Sequence, residues 1–591
     1  MTIDQYIIFG TLLLTLALFI SGRWRYDLVA MFALMIVTLT GLIPFGRAFT
    51  GFSNPAVITV AAVLVISRSL QNSGMVDLIG EQLARLKGGV VIQLAALTVI
   101  VAFLSAFMNN VGALALLLPV TIQLARQKEI PPSVLLMPLA FASLLGGMTT
   151  LIGTPPNIIV ASFREQAGAE PFRMFDFSLV GIGVAFIGLL FIVLIGWRLI
   201  PKRRSQALNE EMFEIEKYIT EVRVTEDSNL NGKRLSEIRN FVKNELMVVG
   251  LVRERERRMA PSAQTKFHTD DILIISADTE NLEHFVNKTR LEMVGSEEIV
   301  REDLESDEVI LMEAVIAPNS LMAGNTACSM NLRSQYGVNL IAIARQGRKL
   351  RTRLDRIRFR VGDVLLLQSH VETIREVLST LGCLPLAGRD LRIGHTRPNI
   401  FALVIFITAL LSAALGWIPV QIAFVAAVVL SIIARLVSLR EAYNSIDWSI
   451  IILLGAMIPV GEALETTGGA QLIAESLVNI SGQMGSTFTL VIMLVATMFL
   501  SDLVNNAAAV VLMAPIGIGI ARGLGVSIDP FLMAVAIGAS CAFLTPIGHQ
   551  SNTLVLGPGG YKFGDYWRMG LLLEIIIVLV ATPLILYFWH L

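Results

Sequence analysis

Long apolar runs alternate with short polar segments at both ends of the chain, and a charged stretch of about 200 residues separates the two sets. Runs of membrane-span type lie near 6–20, 28–43, 56–72, 133–162 and 177–197, and again near 399–417, 420–437, 448–464, 529–557 and 569–589. Residues 74–87 have the pattern of an amphipathic surface helix. The pattern predicts a polytopic α-helical membrane protein.

Two further apolar runs carry an Asn pair in the middle. The run 90–126 is too long for one helix across a hydrocarbon core of about 30 Å, so we expect a re-entrant hairpin of two half-helices, and a second hairpin over 486–521. The segments 103–119 and 499–515 align without a gap and share eight of seventeen residues. Asn109 and Asn110 in the first hairpin therefore correspond to Asn505 and Asn506 in the second.

Each half has five full spans and one hairpin, so the chain is predicted to contain two inverted repeats. If the charged stretch 201–397 is cytoplasmic, 14 Arg and Lys residues near span ends lie inside and four lie outside. This is a positive-inside distribution. It predicts that both termini are extracytoplasmic and that the protein is a multi-pass protein of the cell membrane. The first apolar run has no basic region or cleavage site and is interpreted as a span.

Composition divides the chain in the same way. Hydrophobic residues make up 54% and charged residues 16%, against about 25% charged in soluble domains. Residues 201–397 nevertheless hold 60 of the 93 charges. We therefore predict transmembrane repeats at 1–200 and 398–591, and two α/β domains of a duplicated cytosolic insert at 205–294 and 295–390. The three cysteines suggest neither a disulfide framework nor a zinc site.

Polar, Pro and Gly residues interrupt the spans 133–162 and 529–557, which predicts that both are unwound beside the hairpin tips. Broken helices in inverted repeats are typical of secondary transporters. The candidate substrate-binding residues are Asn109, Asn110, Gly153, Thr154, Asn157, Asn505, Asn506, Ser551, Asn552 and Thr553. The alternatives are that the Asn pairs only join helices and that the interrupted spans are ordinary kinked helices.

The hairpins followed by "GGMTTLIGTPPN" resemble the divalent anion/sodium symporter family of dicarboxylate, citrate and sulfate carriers, in the ion transporter superfamily. The resemblance covers about 390 residues in both membrane halves and implies elevator transport by a homodimer. Hairpin tips in that family usually contain Ser-Asn-Thr, whereas this chain has Asn109-Asn110-Val111 and Asn505-Asn506-Ala507. Candidate Na⁺ ligands by this resemblance are Asn110, Thr149, Thr150, Gly153, Asn506, Thr545 and Gly548.

Two ionisable residues are candidates for ion coupling. Asp502 lies in the second hairpin where the first has Ala106, and His549 lies at the second break. An acidic residue at membrane depth is a functional candidate, and the alternative is a residue in water at the hairpin mouth. The coupling ion is Na⁺ or H⁺, and no cofactor or nucleic-acid partner is expected.

The charged insert is itself duplicated. Residues 222–276 and 314–368 align at a constant offset of 92, and "SxxxG", "VxxIAIxR" and "GDVLLL" resemble the TrkA-C (RCK-C) ligand-binding domains of potassium-transport regulators. The resemblance implies a nucleotide effector, with Arg253 and Arg345 as candidate effector-binding residues. The alternative is a solvated charged face. No dinucleotide-binding G-x-G-x-x-G follows a strand here.

These features predict ion-coupled symport of a small divalent anion, with sulfate as the favoured substrate. The insert is predicted to regulate this transport. A C4-dicarboxylate is the alternative substrate. A channel is a second class, but no TVGYG-like filter is present. No nucleophile–base pair, metal-ligand spacing or phosphate-binding loop indicates an enzyme.

Overall fold

The computed structural model describes residues 1–591 except 22, 74–87, 129, 202–218, 241–245, 254–255, 260–263, 278–284, 287, 295–308, 319, 346–347, 351–353, 355–356, 371–372, 387–399 and 473–484. The predicted surface helix at 74–87 lies outside the described residues.

The first half is built from α-helices joined by short connections. They are α1 (Ile3–Ser21), α2 (Tyr26–Leu39), α3 (Pro55–Asn72), α4 (Val90–Phe107), α5 (Asn110–Gln127), α6 (Ser133–Gly147), α7 (Pro155–Gln166) and α8 (Ser178–Phe191). A π-helical turn over Ile192–Gly196 and a short helix over Trp197–Leu199 continue α8.

The insert contains two antiparallel sheets. The first lobe has strands β1 (Ile219–Val224), β2 (Leu246–Arg253), β3 (Glu256–Met259), β4 (Ile272–Ala277) and β5 (Leu291–Met293), in the order β3-β2-β4-β1-β5. The second lobe has β6 (Val309–Ile316), β7 (Asn339–Arg345), β8 (Arg348–Lys349), β9 (Val364–His370) and β10 (Cys383–Pro385), in the order β10-β6-β9-β7-β8. Helices α9 (Leu332–Tyr336) and α10 (Ile374–Leu381) belong to the second lobe.

The second half again consists of helices. They are α11 (Ile400–Ala414), α12 (Val420–Ile433), α13 (Leu439–Ser445), α14 (Trp448–Thr466), α15 (Gly485–Leu503), α16 (Asn506–Leu524), α17 (Ile528–Ser540), α18 (Gln550–Leu556) and α19 (Trp567–Phe588).

The helical part of the chain has an apolar exterior. Eight described helices are long and apolar enough to cross a membrane. Large apolar side chains such as Phe103, Phe186 and Leu579 are about two-thirds exposed on its surface. Apolar surface on this scale requires a nonaqueous neighbour, so these faces are suited to contact lipid.

The predicted interruptions are present, but α4, α15 and α16 are among the eight helices long enough to cross a membrane, so re-entrant half-helices stay a prediction. A two-residue interruption separates α4 from α5 and α15 from α16, and each predicted unwound span consists of two helices. Pro155 begins α7, and Thr154 before it is extended, with φ −146° and ψ 142°. Proline disfavours the helical conformation of the residue that precedes it and favours the first position of a helix, so the Pro pair promotes the first break.

The two lobes repeat in detail at the predicted offset of 92. Their strand orders are equivalent, and both second strands have a β-bulge, between Val248 and Gly250 and between Leu340 and Ala342. Arg253 forms a bidentate ion pair with Asp271 at 2.7 Å. Arg345 forms the same pair with Asp363 at 2.7–2.8 Å, and this hydrogen-bonded pairing raises the pKa of Arg345.

The second lobe packs against the helical part. Its buried apolar residues Leu311, Val315 and Leu366 belong to the same continuous core as the membrane helices. At the edge of this contact, Arg126 at the end of α5 forms a 2.8 Å ion pair with Glu313 of β6, whose side chain is 6% exposed. The lobe is therefore attached to the helix that follows the first hairpin tip.

Loss of the buried ion pair should loosen the first lobe. We expect Arg253→Ala to lower the free energy of opening at β2 and β4 by about 3–5 kcal/mol, because it leaves the Asp271 carboxylate buried without its cation. Hydrogen exchange of the β2 and β4 amides in the purified protein measures this change. In the same lobe Arg223 and Glu292 form an exposed pair at 3.7 Å, and the control Arg223→Ala should cost less than about 1 kcal/mol. Equal effects of the two substitutions would show that the buried pair does not stabilise the lobe more than an exposed one.

Candidate functional site

The first Asn of each hairpin pair caps the second helix of that hairpin. The Asn109 side-chain oxygen accepts a hydrogen bond from the Val111 amide at 3.2 Å, and the Asn505 oxygen accepts one from the Ala507 amide at 2.9 Å. An Asn at this position satisfies one of the free N–H groups at a helix start. The outer Asn residues thus explain how each helix can begin inside an apolar segment.

The second Asn joins the hairpin to the neighbouring break. Asn110 is almost completely buried. Ser105 Oγ donates its one proton to the Ser143 carbonyl oxygen at 2.7 Å. With its amide nitrogen facing α4, Asn110 donates to Ser105 Oγ at 2.7 Å and to the Gly153 carbonyl oxygen at 3.2 Å. This orientation gives each of these groups a partner and connects α4, α5, α6 and the break that follows α6.

The second half repeats this arrangement at an offset of 396. Ser501 Oγ donates to the Ala539 carbonyl oxygen at 2.6 Å and lies 3.1 Å from the Asn506 amide oxygen. Asn506 is 4% exposed, and its amide nitrogen is buried without a partner among the described residues. The inner Asn residues therefore occupy equivalent positions in the two halves.

A threonine connects each break to its hairpin. Thr150 Oγ1 donates to the Ala106 carbonyl oxygen and accepts from the Gly153 amide at 3.2 Å. Thr545 Oγ1 donates to the Asp502 carbonyl oxygen at 2.7 Å and accepts from the Gly548 amide at 3.1 Å. Each hydroxyl thus binds carbonyl and amide groups that the interrupted helices leave free.

A second pair of amides spans the breaks. Asn157 Nδ2 donates to the Thr150 carbonyl oxygen at 2.8 Å, and Asn552 Nδ2 donates to the Ala542 and Thr545 carbonyl oxygens at 2.6 and 3.1 Å. Both Asn side chains are fully buried. In the described structure their Oδ1 atoms have no hydrogen-bond partner.

Two buried hydroxyls nearby also lack partners among the described residues. They are Thr154 Oγ1 at the start of α7 and Ser551 Oγ in the first turn of α18. Buried polar atoms are nearly always hydrogen bonded. Unpartnered oxygens at both breaks therefore indicate places where a ligand or an ion can bind.

Glycine allows the breaks to approach the hairpins at backbone distance. A Cβ atom at Gly153 would lie 2.9 Å from the Ser105 carbonyl oxygen and 3.0 Å from the Ala106 carbonyl oxygen. A Cβ atom at Gly548 would lie 2.6 Å from the Ser501 carbonyl oxygen. The carbonyl groups at the ends of α4 and α15, the negative ends of these helix dipoles, therefore face the breaks.

A small cavity adjoins the first break. It is lined by Val60, Val63, Leu64, Asn109, Ile152, Gly153, Pro155 and Ile158. The cavity thus contacts the first hairpin tip, the first break and α3. This places open space beside the residues that the sequence singles out in the first half.

The two halves also pack across each other. Helix α16 of the second hairpin contacts α7, which follows the first break, and α5 of the first hairpin contacts α18, which follows the second. The predicted residues of both halves therefore belong to one packed unit.

Three predicted residues have local contacts instead of facing a hairpin tip. Thr149 Oγ1 donates to the Gly146 carbonyl oxygen at 2.7 Å, and Thr553 Oγ1 donates to the Pro546 carbonyl oxygen at 2.6 Å. His549 Nδ1 caps α18 by accepting from the Ser551 amide at 3.0 Å. Their roles in binding or coupling stay predictions.

Asp502 has an acidic neighbour that the sequence pattern did not single out. The Glu574 carboxyl on α19 is a close neighbour of the Asp502 carboxyl, and the two residues are 8% and 2% exposed. Asp502 Oδ1 accepts from the Leu544 amide at 2.9 Å, while no amide or hydroxyl of the described chain donates to Asp502 Oδ2 or Glu574 Oε1. One acidic residue in an apolar 22-residue helix is the signal that could have identified Glu574.

The candidate effector residues Arg253 and Arg345 are engaged inside their lobes. Each guanidinium holds an almost fully buried Asp and also donates to a backbone carbonyl oxygen, that of Lys266 or Arg358, at 2.8–2.9 Å. These contacts stabilise the turn before β4 or β9. An effector role for the two arginines stays a prediction.

Comparison with known proteins places the chain among transporters. A family model described as citrate transporter (CitMHS) matches residues 16–516 and 479–591. An uncharacterized transporter of Synechocystis sp. is 32% identical over 98% of this chain and 95% of its own length, and one of Escherichia coli is 31% identical over 98% of each. A Chlamydomonas reinhardtii protein named sodium/sulfate cotransporter 2 is 24% identical over 57% of this chain and 40% of its own length.

Proposed function

Because the chain belongs to the citrate transporter family, we propose that it is an ion-coupled symporter that carries sulfate across the cell membrane. It is a multi-pass membrane protein whose relatives are named transporters. The observation that carries the proposal is the hydrogen-bonded break, which occurs with equivalent residues in both halves. A broken helix in each of two repeats is the arrangement that secondary transporters use at their binding sites.

We propose that the two halves are inverted repeats. The substrate would then lie between the two hairpin tips. The N-termini of α5, α7 and α16 begin at the tips and at the first break, and helix N-termini attract anions. The binding residues are those predicted from the sequence, with the unpartnered Asn506 amide nitrogen and the Thr154 and Ser551 hydroxyls available to donate to an anion.

Sulfate fits the chemistry of these groups. Its four oxygens accept hydrogen bonds from amides and hydroxyls, and no Arg or Lys in the described chain forms a hydrogen bond with the candidate residues at the breaks. The similarity to a protein named sodium/sulfate cotransporter supports this choice. A C4-dicarboxylate, or citrate in view of the family description, is the alternative.

Na⁺ is a co-substrate at the first break in this proposal. The carbonyl oxygens of Ser105, Ala106 and Gly147 approach Gly153 closely, and the Asn157 Oδ1 atom has no partner in the described structure. Neutral oxygens without a competing cation are the ligands that a hard cation prefers. The bound cation would also offset part of the charge of the substrate.

The second break carries a different group for coupling. Two neighbouring buried carboxyls cannot both be ionised at low cost, and among the described residues neither forms an ion pair with Arg or Lys. We therefore assign a shared proton to Asp502 and Glu574. Cys541, whose buried thiol interacts with both carboxyls, is the other titratable neighbour in the described part of the chain.

Transport proceeds by an elevator motion in this proposal. The hairpins and broken spans move together as one block, and α2 and α12 with their neighbours form the fixed scaffold of a homodimer. The insert is cytoplasmic and consists of two TrkA-C-like domains that regulate the motion. Both termini are extracytoplasmic, and the protein is not an enzyme.

Purified protein in liposomes should take up radiolabelled sulfate when a Na⁺ or H⁺ gradient is imposed. Unlabelled sulfate should block uptake and unlabelled succinate or citrate should not, because both tips lack the Ser and Thr hydroxyls of the Ser-Asn-Thr motif. Saturable uptake that stops when the gradient is collapsed identifies a carrier, whereas a large passive current identifies a channel. Competition by succinate or citrate would indicate that the substrate is a carboxylate and not sulfate.

Removal of an inner Asn should abolish transport without unfolding the protein. We expect Asn110→Ala or Asn506→Ala to lower the initial uptake rate about tenfold or more, because loss of a buried hydrogen bond costs about 1–3 kcal/mol. Gel filtration should match the unmodified protein, and the lost hydrogen bond should lower the thermal unfolding temperature without unfolding the protein at the assay temperature. The control Asn109→Ser keeps a good helix cap and should retain more uptake than Asn110→Ala. Normal uptake by both inner variants would contradict the site assignment.

Neutralisation of Glu574 should remove the proton-driven part of uptake. In Glu574→Gln we expect an imposed pH gradient to have no effect on sulfate uptake, while uptake driven by a Na⁺ gradient persists, because Gln cannot release the proton. The control Glu462→Gln changes a carboxylate of a surface ion pair on α14 and should leave both components intact. Persistent pH-driven uptake in Glu574→Gln would exclude this carboxyl from coupling.

A further inference from the structure

The turn 360–363 of the second lobe lies directly against α18. A Cβ atom at Gly362 would lie 2.7 Å from the Thr553 carbonyl oxygen, and a Cβ atom at Gly557 would overlap the Gly362 carbonyl oxygen. The two backbones are therefore in contact with no side chain between them. Thr553 and Asn552 are neighbours in α18, so this contact lies within about one helical turn of the second break.

The first lobe shows that this turn does not itself require glycine. Asp270 occupies the position equivalent to Gly362, and the two residues have similar positive φ values of 65° and 82°. Asp270 is exposed, whereas Gly362 is buried against α18. Asp is among the residues that tolerate the left-handed conformation. We attribute the glycine at 362 to the contact with α18, because the equivalent residue of the first lobe has the same backbone conformation and is exposed.

The turn is held rigidly on the side of the lobe. Asp363 accepts a hydrogen bond from the Arg360 amide at 2.8 Å in addition to its bidentate pair with Arg345. The same lobe is fixed to α5 by the buried ion pair between Arg126 and Glu313. Helices α5 and α18 pack against each other. The lobe therefore contacts both halves of the proposed moving block.

We propose that the second lobe is a brake that restrains this block until the turn 360–363 leaves α18. The effect on transport rests on the proposed function, whereas the contact between the lobe and α18 can be tested without any substrate. A rigid soluble lobe attached to α5 and α18 cannot follow the block across the membrane, because its polar and charged surface would have to enter hydrocarbon. Movement of the block therefore requires the contact to open.

The test places a side chain in the contact from either side. Gly362→Asp copies the turn of the first lobe, so the second lobe should fold but be unable to dock. Gly557→Ala opens the same contact from α18, where the helical backbone accepts Ala. The control is Asp270→Gly, which makes the reverse change at the equivalent, exposed position of the first lobe.

The native thiol of Cys541 reports whether docking of the lobe holds the second break closed. Cys541 is fully buried at the end of α17, so a membrane-permeant maleimide reaches it only when the second break opens. Peptide mapping by mass spectrometry separates it from exposed Cys328 and from Cys383, whose burial raises the pKa of its thiol to about 12. We expect both contact variants to be alkylated at Cys541 about fivefold faster or more, the lower end of typical coupling between sites.

The control Asp270→Gly should be alkylated at the rate of the unmodified protein. If both contact variants are alkylated at Cys541 at the rate of the unmodified protein, the result contradicts the proposal that the lobe acts as a brake. If the unmodified protein imports sulfate, both variants should import it faster, and a rate that does not rise would also overturn the brake. If no variant imports sulfate, the substrate assignment fails, while the Cys541 rates still decide whether the lobe restrains the second break.

Discussion

The structure depends on one constraint, which is that an interrupted helix in an apolar environment must still satisfy its backbone N–H and C=O groups. Each unsatisfied group in hydrocarbon costs several kcal/mol. Here the interruptions are satisfied by a small set of side chains that occurs in both halves: an outer Asn that caps, an inner Asn with a Ser, and a Thr with an Asn across the break. The broken helices can persist because these side chains replace the missing helical hydrogen bonds, and because Gly153 and Gly548 let the break approach the hairpin at backbone distance.

The same constraint explains why these elements were predictable from the sequence. Asn110 and Asn506 interrupt apolar runs at matched positions, and Pro155 and Pro546 mark breaks by their own stereochemistry, so local chemistry was sufficient. Internal repetition does not reveal Glu574, because this residue has no acidic counterpart in the first half between positions 178 and 196. Thr149 and Thr150 are adjacent in sequence, but only the Thr150 hydroxyl bonds to a hairpin, and that distinction depends on the path of the backbone after α6.

The two halves share a scaffold and differ in charge. Ala106 and Asp502 occupy equivalent positions, and the carbonyl oxygen of each accepts from the threonine of its break. The backbone arrangement therefore does not depend on the side chain at this position. A carboxyl can be introduced there without disturbing the break, provided that a partner such as Glu574 shares a proton with it. Duplication thus allows one half to keep a neutral, oxygen-rich break while the other acquires an ionisable one.

The insert likewise contains two copies of one fold, and the copies differ at one position of a turn. Both lobes use an Arg–Asp pair to hold the turn before the fourth strand, so the turn has the same shape in each. Asp270 is exposed in the first turn, whereas Gly362 lets the second reach the backbone of α18. The second lobe was not predictable as a docking element from its own sequence, because a glycine with positive φ is ordinary in a turn. The contact also needs glycine at position 557, nearly 200 residues away. Only the folded structure shows that these two glycines lie against each other.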